Sequence, residues 1–367
     1  MQTLEQFLTT DLEYIVSSLE TELPRMAGKK LIITGGGGFL GYYLVHTAMH
    51  WNSRVAPEKR IEVTVFENFR RGVPSWLTAF RKELTLVEHD VSRPLPPLGT
   101  FHYIIHAAGI ASPTYYRKFP LETMDTNING LRSLLDYALA RKESPEPVEG
   151  FLFFSSSEIY GDPPPDQIPT REEYRGNVSC TGPRACYDES KRYGETLCAT
   201  FARQHDIPVK VARPFNNYGP GLKISDRRVI PDFARDIFAG RDIVLLSDGS
   251  ATRTFCYSAD AIIGYYKVLV RGGRGEAYNI GIEKPEISML QLAEKISSTA
   301  GELFGYRGRV IHQQSPEKDY LVDNPNRRCP DITKARKDLA FNPTVLVDEG
   351  LRRSLIWYHH NNTGEDA

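Results

Sequence analysis

A doubly wound, parallel α/β sheet with a smaller C-terminal lobe is the architecture predicted by this 367-residue sequence, on three observations. From Lys29 onward, short β-rich runs alternate with helical patterns, and such alternation gives parallel strands joined by helical crossovers. The first run, LIIT, passes directly into GGGGFLG and a helix-like FLGYYLVHTAMHW. After about residue 214 the alternation yields to loop-rich segments such as NNYGPG, SDGSATRTF and SPEKDYLVDNPNRRCPD.

Each element follows in order. Leu4, Phe7, Leu8, Leu12, Ile15, Val16 and Leu19 recur at three- and four-residue steps. They predict one or two amphipathic helices over residues 1–28, packed on the body or on a second subunit, and Pro24 ends the pattern. KLIIT, IEVTVF, LTLVEH and YIIHAA are the first four strands. A helical stretch around 122–142 leads to FLFFSSS, and a further helix leads to VKVARPF. YSADAIIGYYKVLV and EAYNIG are a helix and a strand returning to the first lobe. The expected division is a helical extension over 1–28, a doubly wound domain over 29–214 plus about 257–283, and a second lobe over 215–256 and 284–360.

Composition narrows the function classes. The formal net charge of −1 gives no global basic field for nucleic acid or an anionic membrane. No apolar run approaches the roughly 20 residues that span a bilayer, and the N-terminus lacks a signal-peptide pattern, so the cytoplasm is the expected compartment. Cys180, Cys186, Cys198, Cys256 and Cys329 form no CxxC pair. They read as small buried residues rather than as disulfides or a metal site.

In sheets of this type, ligands collect at the carboxyl ends of the strands. Gly35, Gly38 and Gly41 stand in G-x-x-G-x-x-G spacing at the first strand end, where backbone N–H groups can approach a pyrophosphate at a helix N-terminus. Phe39 and Leu40 open that helix. About 26 residues beyond Gly41 the second strand ends at Glu67, followed by Asn68, where an acid can accept both ribose hydroxyls of an adenosine. A carboxylate there disfavours a 2′-phosphate, so NAD rather than NADP is the expected cofactor, with Arg70 and Arg71 the features that favour NADP. Asp90 and Val91 close the third strand, Ala107, Ala108 and Gly109 the fourth, and Thr126 begins the following helical run; all are candidate cofactor contacts. These features make the first domain a Rossmann domain.

Tyr187 lies four residues before Lys191, so the two share a helical face. A nearby ammonium favours the phenolate, which then takes a proton from a hydroxyl. Ser155, Ser156, Ser157 and Glu158 end the fifth strand, where such a sheet keeps its chemistry.

With these motifs the sequence from about Lys29 to Trp357 resembles the extended short-chain dehydrogenase/reductase family, whose members act on nucleotide sugars. The resemblance implies a catalytic trio of Ser156, Tyr187 and Lys191, the serine orienting substrate, the tyrosine acting as base and the lysine holding the nicotinamide ribose. GPRACYDESKR, SSEIYGDP, ASPTYY followed by FP, and DNPNRRCPDITKA are similar to the UDP-glucuronate decarboxylase branch, which makes UDP-xylose. By that resemblance Pro113 and Tyr116 flank the glucuronyl group, Asn216, Arg228, Arg253 and Arg328 hold the nucleotide diphosphate, and the chain forms a homodimer with no metal. Ser157 replaces the acid that related 4,6-dehydratases place beside the glutamate, so dehydration is disfavoured. Ser157 and Glu158 are then expected to orient the carboxylate and manage the C5 proton. The alternatives are another nucleotide-sugar 4-keto enzyme, or an NAD-binding regulatory protein without turnover.

Overall fold

A computed structural model describes residues 3–315 and 322–361, so residues 316–321 of the Pro-rich run lie outside the described residues. Seven strands form one sheet: β1 (Lys30–Thr34), β2 (Glu62–Glu67), β3 (Thr85–Glu88), β4 (Tyr103–His106), β5 (Gly150–Phe154), β6 (Val209–Pro214) and β7 (Ala277–Ile280). Their order is β7-β6-β5-β4-β1-β2-β3, and all six pairings are parallel. The order reverses beside β1, which opens the crevice expected of a doubly wound sheet. Strands β1, β4 and β5 are buried along almost their whole length, which explains their continuous apolar runs.

Five helices matter for the site and its support: α1 (Leu4–Ser17), α2 (Phe39–Asn52), α3 (Ala185–His205), α4 (Ser258–Arg271) and α5 (Val347–Asn361). The sequence between β6 and the C-terminus also forms short strands outside the main sheet. Thr252–Arg253 pairs with Arg327–Arg328 in parallel and with Ile287–Ser288 in antiparallel fashion.

The N-terminal segment packs on the body. Phe7, Ile15, Leu19, Leu23 and Met26 are fully buried, and α1 lies against α2, α4 and α5. Its polar anchor is Asp11, which accepts hydrogen bonds from Tyr43 and Tyr257 and pairs with Arg353. Tyr14 adds a 2.6 Å bond to Asp260. Among the cysteines, Cys180 is exposed and Cys186 half-buried, a correction to the expectation that all five are buried; Cys180 lies in a loop that no element covers.

Candidate active site

The glycine turn is a cradle that side chains would fill. Gly35 has φ +73°, and a Cβ there would lie 2.6 Å from the Ala108 Cα; one at Gly41 would lie 2.3 Å from the Gly36 carbonyl oxygen. Gly38 precedes α2 without a side-chain cap, leaving the first N–H groups of that helix open to an anion. The Glu67 carboxylate accepts from the amides of Gly37 at 3.0 Å and Asn68 at 3.1 Å, while burial raises its pKa. A dinucleotide fits this set: bare amides for its pyrophosphate, no Cβ in the way, and an acid beside the turn for a ribose. Asp90 is bound to Ser92 and to Arg70 at 2.8 Å, and Val91 is buried beneath Gly130. Phe39 lies 5.9 Å beneath the Arg228 guanidinium, and Leu40 packs into the core.

At the far end of this crevice Gly109, Asn127 and Lys191 meet: a Cβ at Gly109 would lie 2.9 Å from Asn127 Oδ1 and 3.5 Å from Lys191 Nζ. Asn127 sits in a π-helical turn, Thr126–Gly130, a conformation frequent at functional sites. Its amide donates to Ser190 at 2.8 Å, whereas its buried Oδ1 has no partner among the described residues. Sequence reasoning missed Asn127, because nothing in TNING announces a π turn.

The structure brings Ser156, Tyr187 and Lys191 together. Ser156 caps the turn Ser157–Tyr160, accepting from the Glu158 amide at 3.2 Å, and its hydroxyl favours the ionised form of Tyr187. Burial pushes the Tyr187 phenol up to about 12, and the Ser156 hydroxyl opposes this. Lys191 Nζ lies 5.8 Å from the Tyr187 ring centroid and donates to the Phe154 carbonyl at 2.8 Å. Burial pulls its ammonium down to about 7. Tyr116, on the helix that Pro113 opens, stacks on Tyr187 with centroids 5.0 Å apart and 11° between planes.

Glu158 and Arg328, given separate tasks by the resemblance, form one ion pair. Arg328 donates to both Glu158 oxygens, at 2.6 and 2.5 Å, and Arg184 binds the same carboxylate. Burial alone would raise the pKa of Glu158, but the two guanidinium groups outweigh it and hold the group ionised. The remaining residues expected to hold a diphosphate have separate partners. Arg253 donates to the Thr252, Pro325 and Asn326 carbonyls, Arg228 pairs with Asp226 at 3.0 Å, and the Asn216 amide donates to the Thr254 carbonyl at 2.8 Å. The pairing of Thr252–Arg253 with Arg327–Arg328 still places Arg253 beside Arg328. No cluster of metal-ligating side chains occurs among the described residues.

Relatives match most of the chain. UDP-glucuronic acid decarboxylase 6 of Arabidopsis thaliana is 36% identical over 327 residues, covering 88% of this chain and 86% of its own. UDP-glucuronic acid decarboxylase 1 of Xenopus tropicalis is 34% identical over 334 residues, covering 90% and 72%. Among solved structures, an epimerase of Methanothermobacter thermautotrophicus superposes with a TM-score of 0.75 at 25% identity, covering 93% and 95%. A dTDP-glucose 4,6-dehydratase of Bacillus anthracis, in complex with NAD, has the same fold at a TM-score of 0.70 and 20% identity, covering 91% and 97%. Likeness this extensive makes the chain a member of the NAD dependent epimerase/dehydratase family, whose pattern it matches over residues 31–281.

Proposed function

We propose that this chain decarboxylates UDP-glucuronate to UDP-xylose through a 4-keto sugar, using NAD. The observation that carries the reading is Glu158, held as an anion by Arg184 and Arg328 directly after Ser157. Eliminating water from C6 needs an acid for the departing hydroxyl. Ser157 is too weak an acid, and a carboxylate clamped by two guanidinium groups keeps no proton to give. Loss of CO₂ has no such requirement, and relatives at 32–36% identity carry the name UDP-glucuronic acid decarboxylase.

The chain's own residues divide the work. Ser156 and Tyr187 hold the C4 hydroxyl, and Tyr187 accepts its proton, with the Lys191 charge favouring the phenolate. When bound, NAD accepts hydride from C4 and later returns it. The C5 carboxylate is then β to a ketone, so departure of CO₂ leaves an enolate whose oxygen Ser156 and Tyr187 stabilise by hydrogen bonds. C5 takes up one proton from solvent before hydride returns to C4, since Glu158, ionised by its two guanidinium partners, holds none to give. Tyr116 walls the sugar pocket against Tyr187. The division of the chain into an NAD-binding domain over 29–214 plus about 257–283 and a nucleotide-sugar lobe over 215–256 and 284–360 belongs to this reading. So do a cytoplasmic location, for which the support is that no helix among the described residues is long and apolar enough to cross a membrane, and a homodimer. Support for the dimer is the exposed apolar group Phe119, Leu121, Met124 and Tyr193 on neighbouring helices.

The test is incubation with UDP-glucuronate, following CO₂ and the nucleotide product. CO₂ and a UDP-pentose with no net change in NAD are expected. Dehydration of a UDP- or dTDP-hexose, with UDP-glucuronate untouched, would sink the reading.

A further inference from the structure

One member of the GPRACYDESKR run has no task in that mechanism. Asp188 follows Tyr187 on α3, is only 4% exposed, and faces the Glu158 clamp. Its Oδ1 has no hydrogen-bond partner among the described residues, and its Oδ2 lies 3.8 Å from Arg184 Nε, beyond hydrogen-bond reach. The buried Arg184 Nε likewise has no acceptor. Arg184 and Asp188 thus meet only as a long ion pair, one helical turn apart.

The charges around Asp188 come from four elements. Arg184 lies just before α3, Glu158 in the turn after β5, Arg328 on its short strand, and Asp323 in the preceding loop; the Tyr116 phenol also faces the group. Glu158 already takes both forks of Arg328 and one nitrogen of Arg184. With Asp188 neutral, Arg184, Arg328 and Glu158 carry one net positive charge beside Tyr187. With Asp188 ionised the four groups together carry none. A buried carboxyl group without a hydrogen bond favours the neutral form, and burial together with Glu158 raises its pKa against the pull of Arg184 and Arg328.

We propose that Asp188 is a specificity-determining positioning residue. As a neutral acid it leaves the Arg184–Glu158–Arg328 cluster with one net positive charge that attracts the sugar carboxylate, and as an anion it cancels that charge. The inference rests on the decarboxylase reading, since it takes the sugar to be a uronate. No bond other than the Asp188 O–H is made or broken, and the proton exchanges with solvent. The consequence is selective. Rising pH weakens binding of a nucleotide sugar that carries a carboxylate more than binding of its neutral counterpart, because both carry the diphosphate and only one carries the further negative charge.

The experiment is calorimetric titration of the full chain, loaded with NAD and carrying Tyr187→Phe so that substrate is not consumed. UDP-glucuronate and UDP-glucose are each titrated at several values between about pH 6 and 9, a window around the raised carboxyl. UDP-glucuronate affinity should fall about tenfold or more relative to UDP-glucose, the effect of roughly 1.4 kcal/mol of lost charge interaction. Adding Asp188→Asn, which is neutral at every pH, should keep UDP-glucuronate binding tight at the alkaline end. A ratio of affinities that stays constant across the range overturns the proposal even if Asp188→Asn fails to fold. So does a pH-dependent ratio that persists in a folded Asp188→Asn protein. CO₂ release by the parent chain, assayed in parallel, separates the two ideas. Release with a constant ratio removes only the role of Asp188, whereas a changing ratio without release keeps the carboxylate receptor and removes the reaction.

Discussion

Arg328 closes on Glu158 with both arms of its guanidinium, at 2.6 and 2.5 Å, and so ties the end of β5 to a strand 170 residues further along the chain. Glu158→Ala would leave Arg184 and Arg328 buried without their acid. Removing one partner of a buried pair costs about 3–5 kcal/mol, so a marked fall in the thermal midpoint is expected. Glu158→Gln, which keeps the shape and one acceptor oxygen, should cost less. Equal midpoints for the parent and Glu158→Ala would show that the pair contributes nothing to stability.

Tyr187→Phe removes the proton acceptor while keeping the ring that stacks on Tyr116. Turnover should drop by about 10²–10⁴-fold, the usual contribution of general base catalysis, with a much smaller change in substrate affinity. Single-turnover kinetics beside equilibrium binding separates the two effects, and normal turnover would remove Tyr187 from the mechanism.

In the proposed site Glu67 would govern cofactor choice. NAD should bind more tightly than NADP by about 1–3 kcal/mol, the scale of one charged hydrogen bond gained or lost. Equal affinities in a direct titration would assign the ribose to Arg70 or Arg71.

One buried histidine, His106, and one half-buried, His46, set an acid limit. Burial lowers the His46 pKa to about 4 and that of His106 to about 3, from an ordinary value of 6.5. The unfolded chain therefore binds more protons than the native one below about pH 6.5. Their neutral forms support the fold fully above that value, and the support drains away as pH falls towards 4 and then 3. Melting temperature should decline across this window, and His46→Phe, which keeps a ring between Tyr42 and Trp76, should flatten part of the decline.

Deleting residues 1–28 should destabilise the protein and spare the site. The segment buries five large apolar side chains, each contributing about 1.5–3 kcal/mol, and supplies Asp11 to Tyr43, Tyr257 and Arg353. A sharply lower melting temperature with NAD still bound is expected. Unchanged melting with lost activity would place the segment in the site.

Local signals carried the sheet, the glycine turn and the tyrosine–lysine pair into the sequence. Strand alternation is periodic, the glycines are demanded by backbone contacts within one turn, and Tyr187 and Lys191 share a helix. The Arg184–Glu158–Arg328 clamp joins three elements that touch only in the folded chain, so no spacing reveals it. Asp11 was hidden for the same reason: from sequence it is one more polar residue on an amphipathic helix, and its partners lie 32, 246 and 342 residues away. The π turn at Asn127 depends on how its helix meets α3, which composition does not encode.

The clamp also bears on timing. Because the carboxylate that borders the sugar pocket also fastens Arg327–Arg328 to the main sheet, widening the pocket on that side means parting a buried ion pair. At about 3–5 kcal/mol, such an opening occupies less than roughly one part in a hundred of the molecule's time. A ketone formed inside would leave on that side only through this sparsely populated state. The same contact that disarms Glu158 as an acid would then hinder escape of a captured sugar on that side.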